Sequence, residues 1–164
     1  MRASIRVFTA AVIGALLASG TGLALATQQD DPAAEPPSIM EDFSYPGATQ
    51  VLAQRGITLI SGDGHIMLVS CGASGLIEVR SSGNTADKDP DPGHYCFKVT
   101  GSTGTLTLTI PNAYQVKGDN HAVTATVTVA NTTSTVAVAT NTWTGIGLGS
   151  GPDPATLLQL DAKS

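Results

Sequence analysis

The strongest constraint in this sequence is an alternation that runs, with turns between, from Tyr95 to Val129. Apolar side chains occupy every second position: Tyr95, Phe97 and Val99, then Leu106, Leu108 and Ile110, then Val123, Ala125, Val127 and Val129. Between them stand Thr105, Thr107, Thr109, Thr124, Thr126 and Thr128. A period of two places one set on the buried face of a pleated strand and the other in solvent, whereas a helix would scatter both sets around its circumference. A slip of one residue would exchange the two sets, so the strand register is well specified.

The same reading extends along the rest of the chain. Runs at 57–60, 65–70, 76–80, 95–100, 105–110, 114–116, 122–129, 135–140 and 156–160 are short and β-rich, with Gly, Ser, Asn and Asp between them. About nine short strands at such regular spacing predict an all-β fold, an antiparallel β-sandwich or a Greek-key barrel. Residues 101–104, GSTG, suit a tight hairpin. One short N-terminal helix is expected over 48–55, ended by Gly56, with Val51 and Leu52 toward the core. The glycines at 145, 147, 149 and 151 fit neither a dinucleotide fingerprint nor a P-loop, and predict a flexible connection before the last strand.

The first residues are expected to stand apart from this fold. Arg2 and Arg6 precede an apolar run, and Ala24-Leu25-Ala26 offers the small residues of a cleavage site, so 1–26 reads as a signal peptide. A membrane anchor is the alternative, but the run falls short of the ~20 residues a spanning helix needs. Residues 27–38 are acidic and Pro-rich and predict a disordered leader; 39–164 is then a single β domain. The chain is secreted on this reading, extracellular, with no membrane association after cleavage. Its formal charge of −5, made more negative by loss of the two arginines, is unsuited to nucleic acid, which needs clustered Lys and Arg. The two cysteines, Cys71 and Cys96, are expected to form a disulfide worth roughly 3.5 kcal/mol, in preference to a catalytic thiol.

Candidate chemistry is sparse. Gly62-Asp63-Gly64-His65 and Gly118-Asp119-Asn120-His121 echo one another, and if the two turns met, Asp63, His65, Asp119 and His121 could converge on a zinc-like ion. Two hairpin turns with turn-forming residues account for the echo equally well. Asp87, Asp89 and Asp91 alternate like the first half of a calcium loop, but Pro92 stands where that loop needs Gly and Lys98 where it needs Glu. A weak calcium site or a solvated acidic loop both fit; no other cofactor is expected. Gly72-Ala73-Ser74-Gly75 lacks nucleophile-elbow spacing, and His65, His94 and His121 among so many hydroxyls make a chance triad. Tyr45, Tyr114 and Trp143 are the aromatic residues available for an exposed binding surface. Asn131-Thr132-Thr133 fits a glycosylation sequon.

The run FKVTGSTGTLTLTIP, 97–111, resembles secreted Gram-positive bacterial β-sandwich modules of the kind appended to extracellular peptidases. The resemblance carries no catalytic motif and transfers no residue. The expected function is that of a non-catalytic extracellular binding or structural module, its partner an unknown ligand or protein outside the cell. The alternatives are a metal-dependent enzyme built on the two Asp-His turns, or a small secreted peptidase inhibitor presenting residues 83–94.

Overall fold

The computed structural model describes residues 43–164; the expected signal peptide, the leader and the first residues of the 39–164 domain lie outside the described residues. Helix α1 (Ala48–Arg55) precedes β1 (Thr58–Gly62), β2 (Ile66–Val69), β3 (Ile77–Ser81), β4 (His94–Val99) and β5 (Thr103–Lys117). Then follow β6 (Ala122–Val129), β7 (Thr132–Val138), β8 (Trp143–Gly145), a 3-10 turn at Gly147–Gly149, and β9 (Ala155–Lys163). Every strand ladder is antiparallel.

The architecture turns on β5. Two runs that read as separate strands, 105–110 and 114–116, are one strand of 15 residues. Pro111 cannot donate to a ladder and Asn112 adopts a positive φ of 52°, so pairing to β9 shifts register here while the strand carries on. Before this irregularity β5 pairs with β1 on one side and β9 on the other; after it, the β9 ladder ends at Ala113 and β5 pairs with β3 and β8. Two wings result, β7-β6-β9-β5-β1 and β8-β5-β3-β4-β2, sharing β5. The sheet is not closed into a barrel. At the β2 end, the Tyr45 hydroxyl, not another strand, accepts the Leu68 N–H at 2.8 Å.

The alternating residues fill one core. Tyr95, Phe97, Leu106, Leu108, Ile110, Val123, Ala125 and Val127 are buried as the period predicts, joined by Ile77 and Val79 of β3 and Leu157 and Leu160 of β9. Each fully buried Leu or Ile contributes about 1.5–3 kcal/mol, which sets the register more firmly than any turn.

Three expectations need correction. Leu52 points to solvent, 51% exposed; Val51 alone packs against the core, because the inner side of α1 is given to Arg55, whose guanidinium lies over the Tyr95 ring. The disulfide reaches the interior of the second wing: β4 lies between β2 and β3, and Cys96 is fully buried, linked to an exposed Cys71. The glycine-rich stretch is not a free connection, since it supplies β8 and the tight 3-10 turn. There a side chain on Gly149 would collide with the Tyr114 carbonyl, and one on Gly147 (φ 48°) with Ala155. Finally, β7 begins three residues earlier than the 135–140 run suggests, because the turn at Ala130-Asn131, both at positive φ, lets the strand reverse at once.

Candidate functional site

The two wings present very different outer faces. On the second wing the strand register sets Glu78 opposite both Cys96 and Lys117, Arg80 opposite His94, and Trp143 opposite Lys117. Residues opposite one another share a face, so these charged groups form a line across it. Asp91 Oδ2 lies 2.9 Å from His94 Nδ1, and Glu78 Oε2 lies 2.9 Å from His94 Nε2. Glu78 Oε1 accepts from Lys117 Nζ at 2.8 Å, and that ammonium lies 6.0 Å from the centre of the Trp143 ring. Arg80 clasps both oxygens of Asp91 at 3.1 Å. Burial pushes the Glu78 carboxyl up, but the hydrogen bonds from Lys117 and His94 override it and hold Glu78 below the ordinary range. Asp91 is likewise held low, by His94 first and then Arg80.

This line is a chain of paired acidic and basic groups. A general base needs one ring nitrogen free to accept from a nucleophile. Both nitrogens of His94 face carboxylate oxygens, and among the described residues no hydroxyl is hydrogen-bonded to either.

Residues 83–94 form a tied latch. Asp87, whose side chain has no exposed surface, accepts from Arg55 Nε at 2.8 Å, Asp89 N at 3.1 Å and Gly93 N at 2.9 Å. Arg55 also reaches Asp89 at 3.3 Å and the His94 carbonyl at 2.8 Å. Asn84 Nδ2 donates to the Arg55 carbonyl and the Tyr95 hydroxyl. Burial alone would raise the Asp87 carboxyl; Arg55 and the two backbone donors more than reverse this and lower it. Burial raises the Tyr95 phenol. The three aspartates proposed for calcium therefore face Arg55, Arg80 and His94, with Asp87 and Asp89 also accepting N–H donors from within the loop.

The two Asp-His turns do meet the same element, the β4–β5 turn. His121 Nε2 lies 3.2 Å from the Gly101 carbonyl, and a Cβ at Gly101 would lie 3.2 Å from the His65 ring. Their carboxylates are turned onto local partners. Asp63 accepts from His65 N at 3.0 Å and Thr105 N at 3.1 Å. Asp119, buried, takes His121 N at 2.9 Å and His121 Nδ1 at 2.7 Å. Asp63 is held low: burial raises it, and the N–H donors of His65 and Thr105 outweigh that. Among the described residues, the group of three or more metal-ligating side chains whose donor atoms all lie within 4.8 Å of one another is Cys71, His94 and Cys96, not these four.

The aromatic candidates are dispersed. Tyr45 lines an open groove of about 480 Å³ with Phe43, Ile66, Met67 and Leu68, whereas Trp143 stands over Lys117 and Tyr114 lies three residues before Lys117 on β5. Tyr114 and Trp143 do not line that groove.

The first wing bears hydroxyls. Register aligns Ser61, Thr107, Gln159, Thr126 and Thr135 in one row across five strands. Thr105, Asp161 and Thr124 form the row on one side, and Thr156, Thr128 and Thr133 a row on the other. Neighbouring strands lie ~4.8 Å apart and same-face residues along a strand ~6.7 Å apart, so the hydroxyls form a grid. Within it Thr105 and Gln159 donate to Asp161, and Thr128 bonds Thr133 at 2.8 Å. The threonines read from the sequence as solvent-facing spacers are this surface; alignment between strands, which no single run reveals, makes it continuous.

No family model and no curated protein sequence matches the chain. Among the described residues no helix is long and apolar enough to cross a membrane.

Proposed function

We propose that the protein is an extracellular, non-catalytic β-module that binds its partner through the hydroxyl grid of the first wing. The observation that carries this reading is the contrast between the two faces. On the second wing Glu78, Arg80, Asp91, His94 and Lys117 pair with one another, while the first wing offers aligned rows of Ser, Thr and Gln with one carboxylate among them. Such a grid suits a ligand that repeats hydrogen-bond donors and acceptors at regular intervals, as an uncharged wall polysaccharide does. Export is supported by the signal-like residues 1–26 and by a disulfide, which persists in oxidising surroundings.

Co-sedimentation with insoluble wall polysaccharide tests the proposal. The oxidised protein should pellet with the polymer, and the double variant T107K/T126K, which places two long cations in the central row, should bind at least tenfold more weakly. Leu52→Lys, on α1, should bind as the parent does. Equal binding by the double variant, or no binding by the parent, would refute the assignment.

A further inference from the structure

The disulfide has an imidazole beside it. Cys96 and His94 are two residues apart on β4, so their side chains share a face, and His94 Nε2 lies 3.5 Å from Cys96 Sγ. Cys71, Cys96 and His94 each bring one donor atom within 4.8 Å of the other two. Glu78, opposite Cys96 on β3, adds Oε2 at 2.9 Å from the same Nε2. Two sulfurs, a nitrogen and a carboxylate oxygen are the donors a tetrahedral zinc-class ion selects. The second layer is already in place: Asp91 Oδ2 stands 2.9 Å from Nδ1, the carboxylate–histidine arrangement that fixes a ring for metal binding through its other nitrogen.

We infer that the dithiol form of this protein, the state it passes through before the disulfide closes, binds one zinc-class divalent ion through Cys71, Cys96 and His94. Glu78 or a water completes the tetrahedron. In the closed state the sulfurs are bonded to each other and supply no thiolate, so bridge and metal exclude one another. Opening the bridge with a water-soluble phosphine is balanced: the phosphine gives two electrons to the S–S bond and takes oxygen from water to become its oxide. The two protons of that water leave as the two thiol hydrogens. Metal capture then releases both thiol protons to solvent. Any proton on His94 Nε2 passes to Glu78 or to solvent, while Nδ1–H stays with Asp91. The exposed Cys71 sits in a loop, next to Gly72 at φ 113°, and can move as the sulfurs separate to the ~3.8 Å that Zn–S bonds of ~2.3 Å require.

The test is a cobalt(II) titration of the phosphine-reduced protein, followed by displacement with zinc. The reduced protein should give tetrahedral d–d bands and a sulfur-to-cobalt charge-transfer band saturating at one ion per chain, abolished by zinc; the oxidised protein should give neither. Reduced His94→Gln, first shown by circular dichroism to keep its β fold while oxidised, should bind at least tenfold more weakly, and Asp91→Asn more weakly than the parent. Should reduction alone unfold the domain, cobalt must restore the β spectrum. Unaltered binding by His94→Gln, two chains per ion, absence of the tetrahedral bands, or failure of the metal to refold an unfolded reduced chain would each overturn the inference.

Discussion

Asp87→Asn is the sharpest probe of how the long 83–94 loop is held. Asparagine keeps the shape of the side chain but exchanges a carboxylate oxygen for an NH₂ group. In the native arrangement Oδ1 accepts from Arg55 and Asp89 N, and Oδ2 from Gly93 N. Whichever way the amide turns, a donor then faces a donor. Asp87 has no exposed side-chain surface and Arg55 only 14%, so breaking the pair resembles removing one partner of a buried ion pair, which costs about 3–5 kcal/mol. Arg55 retains Asp89 at 3.3 Å and a carbonyl at 2.8 Å, so the lower end applies, about 3 kcal/mol. For a domain of this size that lowers Tm by roughly 10 °C. Urea melts followed by circular dichroism and Trp143 fluorescence give the energy directly. The cycle with Arg55→Met should return a coupling of at least about 1.5 kcal/mol. A loss below about 1 kcal/mol, or independent effects of the two substitutions, would mean that the loop is not held by this pair.

Two further outcomes follow from the same packing. Gly149→Ala drives a methyl into the Tyr114 carbonyl within paired backbone, and should cost at least about 3 kcal/mol or prevent folding; thermal melting reads it. Asp63, Glu78 and Asp87 are all held below their ordinary values. Because the folded values lie under the unfolded ones, their stabilisation is complete only above the unfolded values, above about pH 5, and is lost as pH falls through the folded values. The urea midpoint should therefore drop as pH goes from about 5 toward 2, less steeply in Asp87→Asn, and a parent curve flat across that window would contradict the assignment.

The sequence made the strands and the buried faces legible because the alternation from Tyr95 to Val129 is a local property with only one consistent register. The helix and its Gly56 stop were legible for the same reason, as was the pairing of the only two cysteines. What escaped was everything set by pairing between distant segments. Pro111 and Asn112 look like a strand break, yet the flanking ladders carry β5 through them. Arg55 looks like an ordinary helix-terminal cation until Asp87 and Tyr95 are brought beneath it. His94 was one histidine among three until β3 set Glu78 beside it. The hydroxyl grid has the same origin: each Thr run is plain in the sequence, but its alignment with Gln159 and Asp161 depends on β9 inserting between β5 and β6.

The central claim is that contact is made through the first wing. Hydrogen–deuterium exchange of the oxidised protein, free and bound to wall polysaccharide, tests it most directly. Binding should slow exchange in segments 105–109, 124–128, 133–135 and 156–161 and leave 87–94 and 43–68 unchanged apart from Ser61. Protection confined to the groove beside Tyr45, or to the ion-paired face around His94, would contradict it.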